Sequence, residues 1–289
     1  MKRFYKIIIS SLAIAIVFFF SVFAVNKYFS SELYIIKDCF SNIFGNNFHK
    51  AFVQSENDTV NTEISSLIEN GAYLCDSLLL VNSSYPLPDN YTPILIDLDG
   101  NKLYSNPDAA KGYIELKNVI KNKYGSSLYI MSSYRTPDEQ KDIIESEGEY
   151  AAEINESEHL TGLAFDVYVK YYAGMGFLDS DEGKFVNSSC QDYGFIIRYP
   201  YYGEKITGIP YEPWHIHYVG KPHAKIIMEN KLTLEEYIDS FVPGASYFYE
   251  GYYISRQSGN KGFSVPKGIS DIVISPDNTG YYFITGKIN

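Results

Sequence analysis

Cysteine is scarce in this chain: Cys39, Cys75 and Cys190 stand alone, with no paired spacing among them. That argues against a disulfide framework and against a closed thiolate metal site, and an odd number in one chain leaves at least one thiol free. Burial as a small hydrophobe is the usual fate of such a residue. Basic residues are also few, 24 Lys and Arg against 35 Asp and Glu. Lys2, Arg3 and Lys6 precede an N-terminal apolar run, so the rest of the chain has 21 basic side chains against 35 acidic ones. A body this acidic argues against nucleic acid as a partner, because a phosphate backbone needs clustered Lys and Arg. Internal repeats and low-complexity tracts are missing. What is plentiful is tyrosine, at 28 residues, within a chain that is 45% hydrophobic. Both point to a folded body with aromatic, strand-rich surfaces.

Charge is absent altogether from Ile7 to Val25. This length suits a helix that spans a bilayer, and the basic residues before it predict a cytoplasmic N-terminus and an exported body. Residues 1–25 are therefore expected to form a transmembrane signal-anchor; the competing reading is a signal peptide cleaved near Ala24, which would leave a secreted protein. Residues 26–72 read as a helical stalk, with Leu33, Ile36, Phe40 and Ile43 at helical spacing. A compact catalytic unit is expected over 73–241. Beyond it, 242–289 reads as a small β-rich C-terminal extension of short alternating runs.

Within the central unit, Asp108 to Lys123 reads as a helix with Ile114, Leu116, Val119 and Ile120 as candidate core. Ser127 to Ser132 reads as a strand that delivers Arg135. Thr136-Pro137-Asp138-Glu139 is a helix start with a cap, a proline at the first position and a capping box. Leu163 to Val169 alternates as a strand, Phe165, Val167 and Val169 on one face and Ala164, Asp166 and Tyr168 on the other. Asp181 to Tyr193 reads as a helix ended by Gly194, Phe195 to Arg198 and Ile216 to Val219 as strands, and Thr233 opens another capped helix.

The chemistry concentrates in two segments. Ser157-Glu158-His159-Leu160-Thr161-Gly162-Leu163-Ala164-Phe165-Asp166 is followed by Glu212-Pro213-Trp214-His215. Two imidazoles and a carboxylate, with a spare glutamate, make up a catalytic zinc site: three protein ligands, an open position for water, and a general base. His159, Asp166 and His215 are the candidate ligands and Glu212 the candidate base. His217 would share a strand face with His215; the Glu-x-x-His spacing favours His215 as ligand and leaves His217 as a supporting residue or a substrate contact. His49 and His223 lie outside the pattern and read as ordinary surface residues, and Glu158 as a neighbour with no required role. Arg135, beside a capped helix start and with Gln140 one turn in, forms an anion site. A zinc peptidase that grips a terminal carboxylate is a carboxypeptidase.

Ser132-Ser133-Tyr134-Arg135-Thr136 with Gln140, the Ser157-x-His159-x-x-Gly162-x-Ala164-x-Asp166 run and Glu212-Pro213-Trp214-His215 resemble the VanY-type D-alanyl-D-alanine carboxypeptidases. The resemblance covers roughly Leu80 to Phe241. It implies an α+β fold with helices packed around a central antiparallel sheet. It implies Zn2+ held at His159, Asp166 and His215, with Glu212 as base and substrate contacts from Arg135, Gln140 and Ser157. Ser133 departs from the family, where Gly is frequent. The implied substrate is the peptidoglycan stem peptide, cut before its last D-amino acid. Relatives with these motifs include L,D-carboxypeptidases and D,D-dipeptidases, so the residue removed stays open. A catalytically inactive peptidoglycan-binding module is the alternative from another class; Glu212 discriminates, since binding alone needs no base.

Overall fold

The computed structural model describes residues 29–44, 53–54, 59–100, 102–148, 152–260 and 262–288. The helices in chain order are α1 (Ser30–Phe44), α2 (Ile64–Glu69), α3 (Pro107–Tyr124), α4 (Pro137–Glu147), α5 (Asp181–Ser189), α6 (Glu204–Thr207), α7 (His223–Asn230) and α8 (Leu234–Asp239). The strands are β1 (Val53–Gln54), β2 (Thr59–Thr62), β3 (Tyr73–Leu74), β4 (Ile96–Asp97), β5 (Tyr104–Ser105), β6 (Leu128–Ser132), β7 (Ala164–Val169), β8 (Phe195–Ile197), β9 (His215–Tyr218), β10 (Ser246–Tyr249), β11 (Tyr252–Gln257), β12 (Phe263–Pro266), β13 (Ile269–Pro276) and β14 (Tyr282–Ile288). The class is α+β with several sheets. The apolar run 7–25 and His49 lie outside the described residues. Among the described residues, no helix is long and apolar enough to cross a membrane.

A four-stranded antiparallel sheet, in the order β6-β7-β9-β8, carries the candidate site. The alternation along β7 divides its two faces. Phe165, Val167 and Val169 pack with Ile216, Phe195 and Ile197 against Tyr113, Leu116 and Ile120 of α3 and Val186 of α5. Ala164 and Asp166 face the other way, opposite His217 and His215 of β9.

Helix α3 starts on Asn106, whose side-chain oxygen accepts from the backbone N–H groups of Asp108 and Ala109, and ends on Gly125 at φ 73°. Its buried stripe is Ala109, Tyr113, Leu116 and Ile120, at spacings that repeat one face of a helix. Ile114, expected in the core, is 46% exposed: it lies one residue off that stripe, and Tyr113 takes the core position, its hydroxyl donating to the Leu128 carbonyl. The helix expected over Asp181 to Tyr193 tightens after Ser189 into a 3-10 turn over Cys190–Tyr193, and Gly194 closes it at φ 85°.

Helix α1 makes polar contacts with the central part of the chain. Asp38 accepts from the Tyr201 hydroxyl at 2.8 Å and from Lys231 Nζ at 2.6 Å, and Ser30 accepts from Lys184. Ile36, from the expected apolar stripe, is 48% exposed. The helix is anchored by Asp38, which a reading of hydrophobic spacing passes over.

The C-terminal strands form a six-stranded sheet, β1-β10-β11-β14-β13-β3, that takes in short strands from residues 53–54 and 73–74. Both of its faces are covered. Tyr247, Tyr249, Ile254 and Phe283 pack on Ile226, Tyr237, Ile238 and Phe241 of the segment holding α7 and α8. Tyr253, Ile274 and Ile284 pack on Leu67 of α2 and on Phe263 and Val265 of β12, which pairs with β2. A strand buried on both faces reads as continuous rather than alternating burial, as β11 does from Tyr253 to Gln257.

His223 is corrected by this packing. It is 4% exposed, its Nδ1 2.6 Å from the Tyr237 hydroxyl and its Nε2 3.0 Å from Thr285 Oγ1. Burial lowers its pKa to about 3, so it sits neutral in the seam between α7 and β14.

Candidate active site

Register builds the site. Across the sheet Ser132 lies opposite Asp166, and Asp166 opposite His215, so one face presents all three side by side. His159 comes from outside the sheet, in the 3-10 turn Glu158–Thr161. Gly162 ends that turn at φ 71°, which reverses the chain into β7. A Cβ at Gly162 would come within 2.6 Å of Leu95 and 2.9 Å of the Asn106 nitrogen, so this close approach also requires glycine.

His159 Nδ1 is 2.7 Å from the Ser133 carbonyl oxygen. Only an N–H can face a carbonyl at that distance, which leaves Nε2 unprotonated in the neutral ring. Nε2 is 3.3 Å from Asp166 Oδ2, and His215 Nδ1 is 3.1 Å from Asp166 Oδ1. One donor atom from each of His159, Asp166 and His215 lies within 4.8 Å of the others. Asp166 Oδ1 is buried without a hydrogen-bond partner. Two imidazoles and a carboxylate converging on one point, with a carboxylate oxygen left unmatched, fit a divalent cation of the zinc type. Burial opposes the charge on Asp166, but His159 and His215 hold its carboxyl far below the usual range. Burial likewise opposes a proton on His215, while Asp166 and Glu158 raise its pKa to about 10. The pocket thus attracts positive charge, and a bound metal would displace that proton.

Glu212 Oε2 lies 3.5 Å from His215 Nδ1, on a side chain that is 28% exposed. Its loop is fixed by hydrogen bonds from Glu212 N to the Tyr199 carbonyl and from His215 N to the Glu212 carbonyl, and Asn187 Nδ2 donates to the Pro213 carbonyl. Burial raises the Glu212 pKa, an environment suited to a group that must both take and return a proton.

Arg135 opens from the turn before α4, where Thr136 and Glu139 form the expected capping box. Its backbone N–H donates to the His159 carbonyl, tying the two turns together. Its Nη1 donates to Gln140 Oε1 at 2.6 Å and its Nη2 to Ser132 Oγ at 3.1 Å, while Gln140 Nε2 donates to the Ala152 carbonyl. Arg135, Gln140, Ser157, His159, Asp166, Glu212 and His215 all line one cleft of about 260 Å³, with Tyr199, Ile209 and Trp214 as further walls. The candidate ligands, the candidate base and the candidate substrate contacts Arg135, Gln140 and Ser157 all meet there.

Glu158, to which the motifs assign no role, is 1% exposed at the floor of the cleft. Its carboxylate accepts from Arg198 Nε and from His217 Nδ1, the latter at 2.7 Å. Burial opposes its charge, but Arg198 and His217 hold its pKa well below the usual range. His217 is fully buried against Glu158 and does not line the cleft. The signal that could have flagged Glu158 is Arg198, a second charge inside an apolar run, since buried charges come in pairs. The Ser-x-x-Lys spacing from Ser264 to Lys267 starts in β12 and takes no part in the cleft.

Comparison with known proteins agrees with this geometry. Residues 102–221 match the family model described as VanY: D-alanyl-D-alanine carboxypeptidase. The chain is 39% identical over 183 residues to the putative carboxypeptidase YodJ of Bacillus subtilis (strain 168), covering 56% of this chain and 67% of that protein. It is 34% identical over 181 residues to the bifunctional D-Ala-D-Ala dipeptidase and D-Ala-D-Ala carboxypeptidase VanXYC of Enterococcus gallinarum, covering 57% of this chain and 94% of that one. Among solved structures, the vancomycin-resistance D,D-dipeptidase VanXYg in complex with a D-Ala-D-Ala phosphinate analog aligns with a TM-score of 0.63 at 29% identity, over 81% of this chain and 100% of that chain.

Proposed function

The chain belongs to the VanY family of D-alanyl-D-alanine carboxypeptidases, and on that premise we propose that its cleft removes the C-terminal D-amino acid from peptidoglycan stem peptides. The observation that carries this reading is the convergence of His159, Asp166 and His215 beside Glu212, in one cleft with Arg135.

Arg135 and the capped start of α4 bind the free carboxylate of the substrate. Gln140 holds the guanidinium in a fixed plane from below, so its contribution to binding runs through Arg135. Ser157 also lines the cleft and adds a hydroxyl contact. His159, Asp166 and His215 would hold a zinc ion, which when bound polarises the scissile carbonyl and acidifies water at neutral pH. Glu212 takes a proton from the attacking water as its oxygen bonds to the carbonyl carbon. The same carboxyl then gives that proton to the amine of the departing D-amino acid as the C–N bond breaks. Tyr199 and Trp214 wall the cleft and exclude bulk water.

The relatives that act as dipeptidases favour a second specificity, D,D-dipeptidase activity on the same scaffold; L,D-carboxypeptidase activity would need the same groups. An inactive binding module is disfavoured by Glu212, whose carboxylate lies 3.5 Å from His215 and, among the described residues, is paired with no Lys or Arg. A membrane anchor over 1–25, with the catalytic unit 73–241 outside the cytoplasm, suits a cell-wall substrate. Residues 26–72 would link the two, with 242–289 braced on the catalytic unit; signal cleavage would release the same body.

The test is mass spectrometry of stem peptides ending in D-Ala-D-Ala, as free acids and as C-terminal amides. The free acid should lose one D-Ala and the amide should be cut far more slowly. Equal cleavage of both would make this an endopeptidase or amidase.

A further inference from the structure

We infer that Glu158 is a positioning residue that sets which nitrogen of His215 faces the metal, and that the buried Arg198–Glu235 pair holds it in place. The inference rests on the zinc reading of the His159, Asp166 and His215 cluster. Glu158 is 1% exposed, at the floor of the cleft beside His159 and His215.

The geometry is a chain of charged groups running inward from the cleft. His215 Nε2 is 3.6 Å from Glu158 Oε2, an ion-pair distance rather than a hydrogen bond. The same oxygen accepts from His217 Nδ1, and the other carboxylate oxygen from Arg198 Nε. The two remaining guanidinium nitrogens reach Glu235 of α8 as a fork, Nη1 to Oε2 at 2.9 Å and Nη2 to Oε1 at 2.7 Å. Arg198 is 1% exposed. Glu235 is held in turn by Asn82 Nδ2 at 3.1 Å. Two carboxylates share the Arg198 guanidinium, and the Glu158 oxygen that meets His217 also faces the His215 ring.

A neutral imidazole carries one N–H. A carboxylate beside Nε2 favours the proton there, and Nδ1 then presents its lone pair toward Asp166 and Glu212. His159 is set in the opposite sense, with Nδ1 on the Ser133 carbonyl and Nε2 toward the site. The Tyr199 ring packs on His215 with centroids 4.9 Å apart, and the Arg198 guanidinium lies over the Tyr199 ring, so rotation of His215 is blocked on that side. Replacing Glu158 by Gln keeps the shape, removes the charge, and offers an amide N–H to Nε2. That would favour the tautomer with a proton on Nδ1, where the metal must bind.

The test uses the full chain in detergent, titrated with zinc against a competing chelator, beside ¹⁵N spectra of the histidine rings. In the unsubstituted protein the spectra should show His215 protonated at Nε2 and ligated through Nδ1. Glu158→Gln should weaken zinc binding by about 10- to 100-fold, the usual effect of losing a partner behind a metal-binding His. A residue that served only the fold would lower the melting temperature and leave zinc affinity unchanged. Zinc affinity unchanged in Glu158→Gln, or Nε2 ligation of His215 in the unsubstituted protein, overturns the inference. If Glu158→Gln does not fold, the spectra of the unsubstituted protein decide alone. His215→Ala separates the two levels: if it retains zinc, the underlying ligand assignment fails, whereas its loss of zinc with Glu158→Gln unaffected sinks only the role of Glu158.

Discussion

Glu158 and Glu212 are both carboxylates within reach of His215, and their surroundings give them opposite characters. Glu158 is matched by Arg198 and His217 and stays charged; Glu212 is partly buried, has no Lys or Arg partner among the described residues, and has its pKa raised by burial. Glu212→Gln removes the proton acceptor and leaves the three ligand side chains in place. Metal analysis of that variant should show normal zinc content, with turnover lower by about 10² to 10⁴. Near-normal turnover would reopen the binding-module reading. His223 carries a second prediction at this scale, away from the cleft. Its pKa is lowered to about 3 in the folded chain, from 6.5. Between those values the unfolded chain binds a proton that the folded chain does not, so stability falls as pH drops below 6.5 and is fully present above it. The loss is about 1.4 kcal/mol per pH unit from this one group. Denaturant midpoints measured from pH 7 to pH 4 should therefore fall less steeply in His223→Gln, and parallel curves would refute the assignment.

Among elements, the turn from His159 into β7 is the most demanding. Gly162 sits at a positive φ, its carbonyl accepts from the Asn106 N–H, and it has no room for a side chain. Gly208 has almost the same φ, 72°, with nothing within 4 Å of the point where a methyl group would stand. Gly208→Ala should thus cost about 1 kcal/mol, from backbone strain alone. Gly162→Ala should cost clearly more, and it should also weaken zinc binding because the turn carries His159. Melting curves and chelator competition on the pair check both parts; equal losses would mean that the close approach is unimportant. This turn was legible in the motif, as were the capping boxes at Thr136 and Thr233, because each is written within a few consecutive residues. The alternation of β7 likewise placed Asp166 on the face opposite Phe165. What escaped the sequence is non-local. Strand β3 is two residues long and pairs with β13 about 200 positions on, and neither leaves a periodic signal. The burial of Glu158 depends on Arg198 and Glu235, which approach it only in the folded chain. His223 read as a surface residue because its partners, Tyr237 and Thr285, come from a later helix and the last strand.

At the scale of the molecule, the C-terminal strands and the catalytic unit share one core. Tyr247, Tyr249, Ile254 and Phe283 from the extension are packed on Ile226, Tyr237, Ile238 and Phe241. Arg256 on β11 pairs with the buried Asp277 and reaches the Ile238 carbonyl of α8, the helix whose Glu235 grips Arg198. Asn278 Nδ2 is within hydrogen-bonding reach of the carbonyls of Leu80, Tyr85 and Pro86, so the β13–β14 turn also pins the loop that enters the catalytic unit. Deleting 242–289 would strip four large side chains from that core. At roughly 1.5–3 kcal/mol for each buried side chain, the loss is about 6–12 kcal/mol. This matches the whole stability of a typical domain, about 5–15 kcal/mol. The shortened chain should therefore lose its cooperative melt by circular dichroism, and with it the ability to retain zinc against a chelator. An extension that merely decorated the enzyme would leave both intact. Cooperative melting and zinc retention in the shortened chain would show that the shared core is dispensable and that the extension can be assigned a separate task.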